Sequence, residues 1–225
     1  MVFDASGTLI THEVTILADH LLLLPGTLRM PPDPSGIVVF AHGSGSSRMS
    51  PRNRFVADRL GTHGLATLLF DLLTEEEEHD RANVFDLELL SARLLAAARW
   101  VDEQEALEAL PLGLFGASTG AGAALQAASA LTSRVAAVVS RGGRPDLALP
   151  VLRDVTAPTL LIVGGADEPV IEMNRQALAE LREPKELVIV PGATHLFEEP
   201  GALEQVAELA SAWFVRYCRV GVRGA

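Results

Sequence analysis

The stretch LGLFGASTG, residues 112–120, decides how the rest of the chain is interpreted. Residues 112–115 form a short apolar run typical of a buried strand, and small side chains recur at helical spacing after Gly120. Ser118 therefore lies at a tight turn between a strand and a helix, within a G-x-S-x-G pattern. Such a turn strains the serine backbone and holds its hydroxyl clear of the sheet, while the flanking glycines let the chain reverse. This position suits a nucleophile.

Apolar runs on both sides of this turn predict the remaining strands. Two weaker strands are expected at residues 14–17 and 21–24, and stronger ones at 37–41, 66–70, 135–139, 159–163 and 187–190. From residue 37 onward the runs are apolar without alternation, which is typical of parallel strands that are covered on both faces.

Helical patterns separate these strands. Ser50 and Pro51 predict the N-cap and first residue of a helix that ends at Gly64. Later helices are indicated by apolar residues at helical spacing, namely Leu87, Leu90, Leu94, Ala98 and Val101, and then Leu203, Val206, Ala207, Ala210, Phe214 and Tyr217. The alternation predicts an α/β fold with a doubly wound, mostly parallel sheet flanked by helices. We expect a single domain over residues 1–225, with an irregular leader over residues 1–13.

Composition narrows the function. The 225 residues carry a formal net charge of −11, which argues against nucleic-acid or anionic membrane partners. The single cysteine allows no internal disulfide, and the start of the chain lacks the basic residues of a secretory signal, so we expect a cytoplasmic protein. No cofactor motif or metal-ligand spacing is visible, and the oligomeric state stays open.

Two polar residues follow later strands, where ligands of such sheets collect. The strand at residues 159–163 leads into Asp167, and the strand at 187–190 leads into His195. A serine hydroxyl needs a base, and the base needs a group that fixes its tautomer, so we interpret Ser118, His195 and Asp167 as a catalytic triad. The alternatives are a helix cap at Asp167, with Glu168 as the acid, and a structural histidine at 195.

With these residues in this order, the chain resembles the α/β-hydrolase superfamily over about residues 14–217. It is most similar to the small, cap-less dienelactone-hydrolase-like members. The resemblance implies an α/β-hydrolase fold in which the serine attacks an ester or lactone carbonyl, the histidine shuttles the proton and the aspartate orients the histidine. Dienelactone hydrolases proper carry cysteine at the turn, so Ser118 departs from them. Residues 140–158 leave room for one short helix, so no large cap domain is expected and the site should be open.

An oxyanion hole requires two donors that are already in place. The Thr119 amide follows the nucleophile and supplies one. The second is expected from the segment HGSGSS, residues 42–47, which resembles the histidine-glycine loops of this superfamily. We predict Ser44 as the second donor, with Gly43 as the alternative. His42 is interpreted as a structural prop.

Charged residues near the predicted strand ends leave alternatives open. Arg141 is a tentative ligand for a substrate carboxylate, because a guanidinium matches that group. The competing interpretation pairs Arg141 with Asp146 or with the acidic run Glu75–Glu78. That run is expected to be a solvated loop, placed at the edge of the site by the strand at residues 66–70, rather than a metal site. We assign no role to the arginines Arg48, Arg52 and Arg54.

The sequence thus predicts a serine hydrolase that cleaves carboxylic esters or lactones of small substrates through an acyl-enzyme. A thioesterase or amidase using the same triad is one alternative. A non-catalytic binding protein on the same fold is the other. The acyl length, the leaving group and the physiological substrate are not determined by the sequence.

Overall fold

The computed structural model describes residues 9–19 and 21–218, and these form one eight-stranded sheet flanked by helices. The strands are β1 (Ile10–Asp19), β2 (Leu22–Met30), β3 (Gly36–Ala41), β4 (Leu65–Phe70), β5 (Leu112–Ala117), β6 (Val135–Arg141), β7 (Thr159–Gly164) and β8 (Lys185–Val190). Their spatial order is β1-β2-β4-β3-β5-β6-β7-β8. The β1–β2 and β2–β4 pairs are antiparallel and the others are parallel. The structure therefore confirms the predicted doubly wound, mostly parallel sheet.

Helices cover both faces of this sheet. They are α1 (Pro51–Thr62), α2 (Glu75–Glu78), α3 (Arg81–Phe85), α4 (Leu87–Asp102), α5 (Thr119–Leu131), α6 (Glu168–Glu180) and α7 (Ala202–Tyr217), with 3₁₀ helices at Thr132–Arg134 and Pro145–Asp154. Val38 and Phe40 of β3 pack in the core formed with α1 and α7, whereas Ile37 and Val39 belong to the core beneath α4 and α5. Because both faces of β3 to β7 are buried, these strands are largely apolar, whereas the edge strand β8 is partly exposed and begins with Lys185 and Glu186.

The first two strands are longer than their apolar runs predict. Strand β2 continues through Pro25 and Gly26, two residues that usually end a strand. The Pro25 carbonyl accepts a hydrogen bond from the Asp71 N–H, on the side facing β4. In an antiparallel ladder the N–H and C=O of one residue point to the same side, so the missing proline N–H removes no bond to β1. Strand pairing therefore overrides the local breaker signal.

The leader predicted over residues 1–13 is too long. Residues 10–13 belong to β1 and pair with residues 27–30 of β2. Cross-strand pairing orders them, which a hydrophobicity pattern of the isolated segment does not reveal. The remainder of the predicted leader, residues 1–8, lies outside the described residues.

Helix α1 begins and ends as its capping residues predict. The Ser50 hydroxyl accepts a hydrogen bond from the Asn53 N–H at 3.3 Å, and Pro51 is the first helical residue. Gly64 follows the C-cap residue His63 and has a φ of 78°, which favours glycine.

The connections reverse direction next to β3. Strand β4 lies on one side of β3 and β5 lies on the other, although β5 follows β4 in the chain. In doubly wound sheets, ligands bind in the crevice at the carboxyl ends of the strands where the order reverses. Gly43 follows β3 and Ser118 follows β5, so both lie at this crevice.

No large cap covers this edge of the sheet. The segment between β6 and β7 contains a 3₁₀ helix, Pro145–Asp154, as its only helical element. The acidic run expected as a loop forms the short helix α2, because Thr74 and Glu77 make a reciprocal capping box. Within the described ranges, none of the helices combines the length and hydropathy needed to span a bilayer.

Candidate active site

Ser118 occupies a strained turn between β5 and α5. Its φ is 51° and its ψ is −122°, a conformation that costs a non-glycine residue about 1–3 kcal/mol. Gly116 and Gly120 make the turn possible. A Cβ at Gly116 would lie 2.4 Å from the Ala121 Cα, and one at Gly120 would lie 2.4 Å from the Ala41 carbonyl oxygen. The G-x-S-x-G spacing therefore follows from steric limits on both sides of Ser118.

Asp167 and His195 form a hydrogen-bonded pair. The His195 Nδ1 lies 2.7 Å from the Asp167 Oδ2. Because a carboxylate only accepts hydrogen bonds, Nδ1 carries the proton and Nε2 is left to accept one. Asp167 is at the N-cap position of α6, but its side chain makes no capping hydrogen bond. Asp167 therefore begins α6, as the helix-cap alternative has it, but its carboxylate pairs with His195 instead of capping the helix, and His195 does not pair with Glu168.

Ser118 and His195 lie at the same edge of the sheet, and Arg141 and Gly142 lie between them. The Ser118 N–H donates to the Arg141 carbonyl at 3.2 Å. The next residue, Gly142, packs on His195, since a Cβ there would lie 3.6 Å from the His195 Cε1. Among the described residues no hydrogen bond joins the Ser118 hydroxyl to His195. Catalytic hydrogen bonds are often long without substrate and tighten in the substrate complex.

The predicted oxyanion loop lies against the serine turn. A Cβ at Gly43 would lie 2.9 Å from the Ser118 Cβ. The Ser44 N–H donates to the Thr119 hydroxyl at 3.0 Å, so this predicted oxyanion donor is already engaged. The Thr119 amide is at the first position of α5, where helical N–H groups lack an intrahelical acceptor. No sequence pattern predicts this bond between the Ser44 amide and the Thr119 hydroxyl, because it joins residues 75 positions apart.

His42 connects two loops from a buried position. Its Nδ1 lies 3.0 Å from the Gly43 carbonyl oxygen, and its Nε2 accepts the Leu72 N–H at 3.0 Å. Burial lowers the pKa of His42, so the neutral ring is favoured. This geometry agrees with the interpretation of His42 as a structural prop.

Arg141 is a buried guanidinium without a carboxylate partner. The residue is 7% exposed, and among the described residues its side chain makes one long hydrogen bond, 3.5 Å from Nη2 to the Asn53 Oδ1. Its Nε and Nη1 have no partner among the described residues. Burial, together with repulsion from Arg52, lowers the pKa of Arg141 to about 10. These unsatisfied donors are an unusual feature, because buried polar groups are nearly always paired.

The predicted internal partners of Arg141 are bound elsewhere. Asp146 forms a bidentate pair with Arg144, with both contacts at 2.8 Å. In the acidic run, Glu77 pairs with Arg93 at 2.7 Å. The interpretation that paired Arg141 with Asp146 or with Glu75–Glu78 is therefore wrong.

The other arginines that follow β3 are placed as follows: Arg48 pairs with Asp71, Arg52 pairs with Glu198 at 3.3 Å, and Arg54 is exposed. The contribution of Arg52 and Asn53 to the surroundings of Arg141 was missed. Their only sequence signal is a position in the first turn of a well-capped helix. Within residues 9–19 and 21–218, no group of three or more His, Cys, Asp or Glu side chains is arranged to hold a metal ion.

The sheet and the serine turn define an α/β-hydrolase fold, and comparison with known proteins gives the family. The dienelactone hydrolase family profile matches residues 24–216. The chain therefore belongs to the dienelactone hydrolase family. It is 55% identical to a dienelactone hydrolase from Anabaena variabilis, with a TM-score of 0.91 and coverage of 94% of this chain and 99% of that one.

More distant structures share the fold alone. Est1E from Butyrivibrio proteoclasticus superposes with a TM-score of 0.79 at 18% identity, covering 91% of this chain and 98% of its own.

Two curated Mycobacterium tuberculosis proteins, provisionally named phosphoribosyl transferases, are 60% identical over 214 residues, which is 95% of this chain. This chain spans 48% of their length, about half.

Proposed function

We propose that this protein is a serine hydrolase that cleaves carboxylic esters or lactones of small molecules through an acyl-enzyme. The observation that carries the proposal is the Asp167–His195 pair, 2.7 Å apart, at the same sheet edge as the strained Ser118 turn. Membership of the dienelactone hydrolase family supports hydrolysis of ester-like substrates. The cytoplasmic location expected from the sequence stays a prediction.

The proposed reaction begins with attack of the Ser118 Oγ on the substrate carbonyl carbon. His195 Nε2 takes the hydroxyl proton as the new bond forms, and Asp167 stabilises the resulting imidazolium. When the tetrahedral intermediate collapses, the bond to the leaving oxygen breaks and that oxygen receives the proton from Nε2. Water then attacks the acyl carbon while His195 Nε2 takes its proton. When this second tetrahedral intermediate collapses, the bond to Ser118 Oγ breaks, Oγ receives the proton from Nε2 and the acid is released.

The negative charge of the tetrahedral intermediate needs donors that are fixed in advance. We assign one of them to the Thr119 amide, at the N-terminus of α5. The second comes from the loop after β3. Gly43 packs directly on Ser118, whereas the Ser44 amide is held by the Thr119 hydroxyl and must exchange that bond before it can serve.

Arg141 is proposed to bind an anionic group of the substrate. The free Nε–H and Nη1–H groups lie on different edges of the guanidinium, and each can donate a charge-assisted hydrogen bond to an anionic oxygen. The Arg141 guanidinium lies beside Asn53 of α1, and the Arg141 carbonyl accepts the Ser118 N–H, so this residue is adjacent to the serine turn.

The two alternatives make different demands on the site. A thioesterase or amidase would use the same three residues, so substrate panels distinguish it from an esterase. A binding protein would need neither the Asp167–His195 hydrogen bond nor the strained Ser118 turn. The provisional name of the mycobacterial relatives belongs to proteins about twice as long, and we do not transfer phosphoribosyl transfer to this chain.

A fluorophosphonate probe tests the proposal, because it phosphonylates only a serine that is activated by its base. We expect intact-mass analysis to show one adduct on the wild type and none on Ser118→Ala. Ser44→Ala is the matched control and should label like the wild type. Absence of labelling on folded wild type would favour the binding protein. Labelling with cleavage of thioesters or amides, but not of oxygen esters, would favour the other enzyme class.

A further inference from the structure

A short segment at the end of β6 holds the serine turn at two points. It consists of Arg141, Gly142, Gly143 and Arg144, and we call it the RGGR segment. The Ser118 N–H donates to the Arg141 carbonyl at 3.2 Å, and the Ser118 carbonyl accepts the Arg144 N–H at 3.0 Å. The position of the strained serine backbone therefore depends on the position of this segment.

The RGGR segment also packs against His195. A Cβ at Gly142 would lie 3.1 Å from the His195 carbonyl oxygen and 3.6 Å from the ring Cε1. The Gly142 N–H donates to the Ile162 carbonyl of β7 at 2.7 Å, which ties this contact to the sheet. A shift of the RGGR segment would therefore change the separation of Ser118 from His195.

Asn174 of α6 anchors the RGGR segment with a buried amide. The residue has no exposed surface, and its Nδ2 donates to the Gly143 carbonyl at 3.0 Å and to the Val170 carbonyl at 2.8 Å. Because both partners are acceptors, the amide nitrogen must face them. Val170 is one turn earlier in α6 itself, so the bond to Gly143 is the one that joins two elements.

The other end of the Asn174 amide is unsatisfied. Its Oδ1 is buried and has no hydrogen-bond partner among the described residues. An unpaired buried oxygen lowers the stability of the fold, and such groups are uncommon in native structures. Folding stability alone therefore does not explain an asparagine at this position.

Helix α6 also carries the acid of the proposed triad. Asp167 immediately precedes α6 and lies 2.7 Å from His195, and Asn174 follows about two helical turns later. The contacts form a closed circuit: Ser118 bonds to the RGGR segment, the segment bonds to α6, α6 holds Asp167, Asp167 pairs with His195, and His195 packs on the segment. Each contact in such a circuit restricts the others.

We propose that Asn174 is a positioning residue, whose amide holds the RGGR segment so that Ser118 and His195 keep the separation that proton transfer requires. This inference rests on the proposed serine hydrolase. Asn174 acts through the Gly143 carbonyl and needs no contact with the substrate. Proton transfer requires its two heavy atoms within hydrogen-bond reach, and a displacement of about 1 Å in a site can cost about 100-fold in rate.

Asn174→Leu tests the inference, because leucine keeps the approximate size of the side chain and removes the donor. We expect kcat for p-nitrophenyl acetate, a neutral ester, to fall about 10- to 100-fold while KM changes less than about twofold. The rate constant of fluorophosphonate labelling should fall by a similar factor, since labelling uses the same base. Asn174→Ala adds no bulk and should show the same split between kcat and KM, which covers failure of the leucine variant to fold.

The leaving group gives a readout that a loss of stability does not move. p-Nitrophenolate leaves as a stable anion, whereas an alkoxide needs the proton that His195 delivers. In the Asn174 variants, kcat/KM for ethyl acetate should therefore fall at least about threefold more than kcat/KM for p-nitrophenyl acetate.

Ala177→Gly is the matched control in the same helix. Ala177 is buried in α6, and its side chain has no group that could bond to the Gly143 carbonyl. Glycine weakens a helix interior, so the urea midpoint should fall. We expect kcat and the ratio between the two esters to stay near wild type.

The outcomes separate this inference from the proposed function. Ester cleavage by the wild type with unchanged kcat in the folded Asn174 variants would overturn the positioning role and leave the hydrolase proposal intact. Equal losses of kcat in Ala177→Gly would also overturn it, because they would trace the effect to the stability of α6. Failure of the wild type to cleave any ester or to label with the fluorophosphonate would overturn both.

Discussion

The Ser44 amide donates a hydrogen bond to the Thr119 hydroxyl at 3.0 Å, and this bond ties the loop after β3 to the first residue of α5. The two residues are 75 positions apart in the chain, yet the bond fixes the distance between the two segments from which we expect the oxyanion donors. A side chain thus orders a site whose proposed chemistry uses backbone groups.

Thr119→Val should separate this ordering role from the role of the backbone amide. Valine keeps the shape of the side chain but removes the acceptor, so the loop loses its tie. We expect kcat/KM for p-nitrophenyl acetate to fall about 10- to 100-fold, less than or comparable to the loss of a whole oxyanion donor. The free energy of unfolding should fall by about 1 kcal/mol. Thr119→Ser retains the hydroxyl and should stay near wild type. Increased activity of Thr119→Val would instead show that the bond competes with the oxyanion for Ser44.

Asp167→Asn should leave the fold intact and remove most of the activity. The neutral amide of asparagine does not stabilise the positive charge of the His195 imidazolium. Its NH₂ group can also donate a hydrogen bond to Nδ1, which permits the wrong tautomer of His195. We expect kcat to fall about 10³- to 10⁴-fold. Glu168→Gln, one residue along, is the control and should change kcat little. Equal losses in the two variants would contradict the assignment of Asp167.

Arg141→Met should have opposite effects on stability and on activity. The substitution removes a buried charge with unsatisfied donors, and apolar replacements of buried ionic groups often stabilise by about 1–4 kcal/mol. Denaturant unfolding should therefore show a gain for Arg141→Met and no change for Arg54→Met, an exposed control. In kinetics, kcat/KM for anionic esters should fall about tenfold or more, while kcat/KM for neutral esters changes little. Equal losses for both ester types would exclude the proposed anion contact.

His42 should make the protein less stable in mild acid. Burial lowers the pKa of His42 in the folded state below its usual value of 6.5, so the unfolded chain binds more protons as the pH falls. The free energy of unfolding is therefore independent of His42 above about pH 7 and decreases below about pH 6.5. Urea unfolding at pH 5.5 and pH 8 measures this difference, and His42→Gln should reduce it. His63→Gln, at an exposed position, should leave the slope unchanged.

Cys218 should be unreactive in the native protein. The thiol is fully buried, and burial raises its pKa to about 12, so the reactive thiolate is scarce near neutral pH. We expect slow labelling by iodoacetamide under native conditions and rapid labelling in denaturant. Because the chain has one cysteine, the reaction reports on unfolding without interference. Rapid native labelling would show that the end of α7 opens locally.

Much of the sheet could be predicted because its strands are buried on both faces. The apolar runs from residue 37 onward match β3 to β8 to within two residues at each end, since extensive burial leaves a strong pattern. The β1–β2 hairpin was underestimated because its pairing lies beyond the local apolar run. Ile10 belongs to β1, and Pro25 is accommodated within β2, because of backbone hydrogen bonds between neighbouring strands.

Candidate site residues were predicted where backbone shape required them, and missed where side chains meet across long sequence separations. Ser118, Asp167 and His195 each follow a strand, so their common edge follows from the fold class. The surroundings of Arg141 depend on Asn53 in a helix 88 residues earlier, and no periodicity connects the two. Asp146 likewise pairs with Arg144 rather than with Arg141. Local geometry determines this pairing, because the two arginines carry the same charge.

The convergence of strand ends at a single edge also bears on how this protein can change. The loops after β3, β5, β7 and β8 carry Gly43, Ser118, Asp167 and His195 in separate segments of the chain, and Arg141 is the last residue of β6. The sheet beneath them supplies the geometry, whereas each segment supplies one proposed function. A substitution at the end of β6 would alter the proposed anion contact while Ser118, Asp167 and His195 keep their positions. Recognition and chemistry can therefore diverge independently in descendants of this chain.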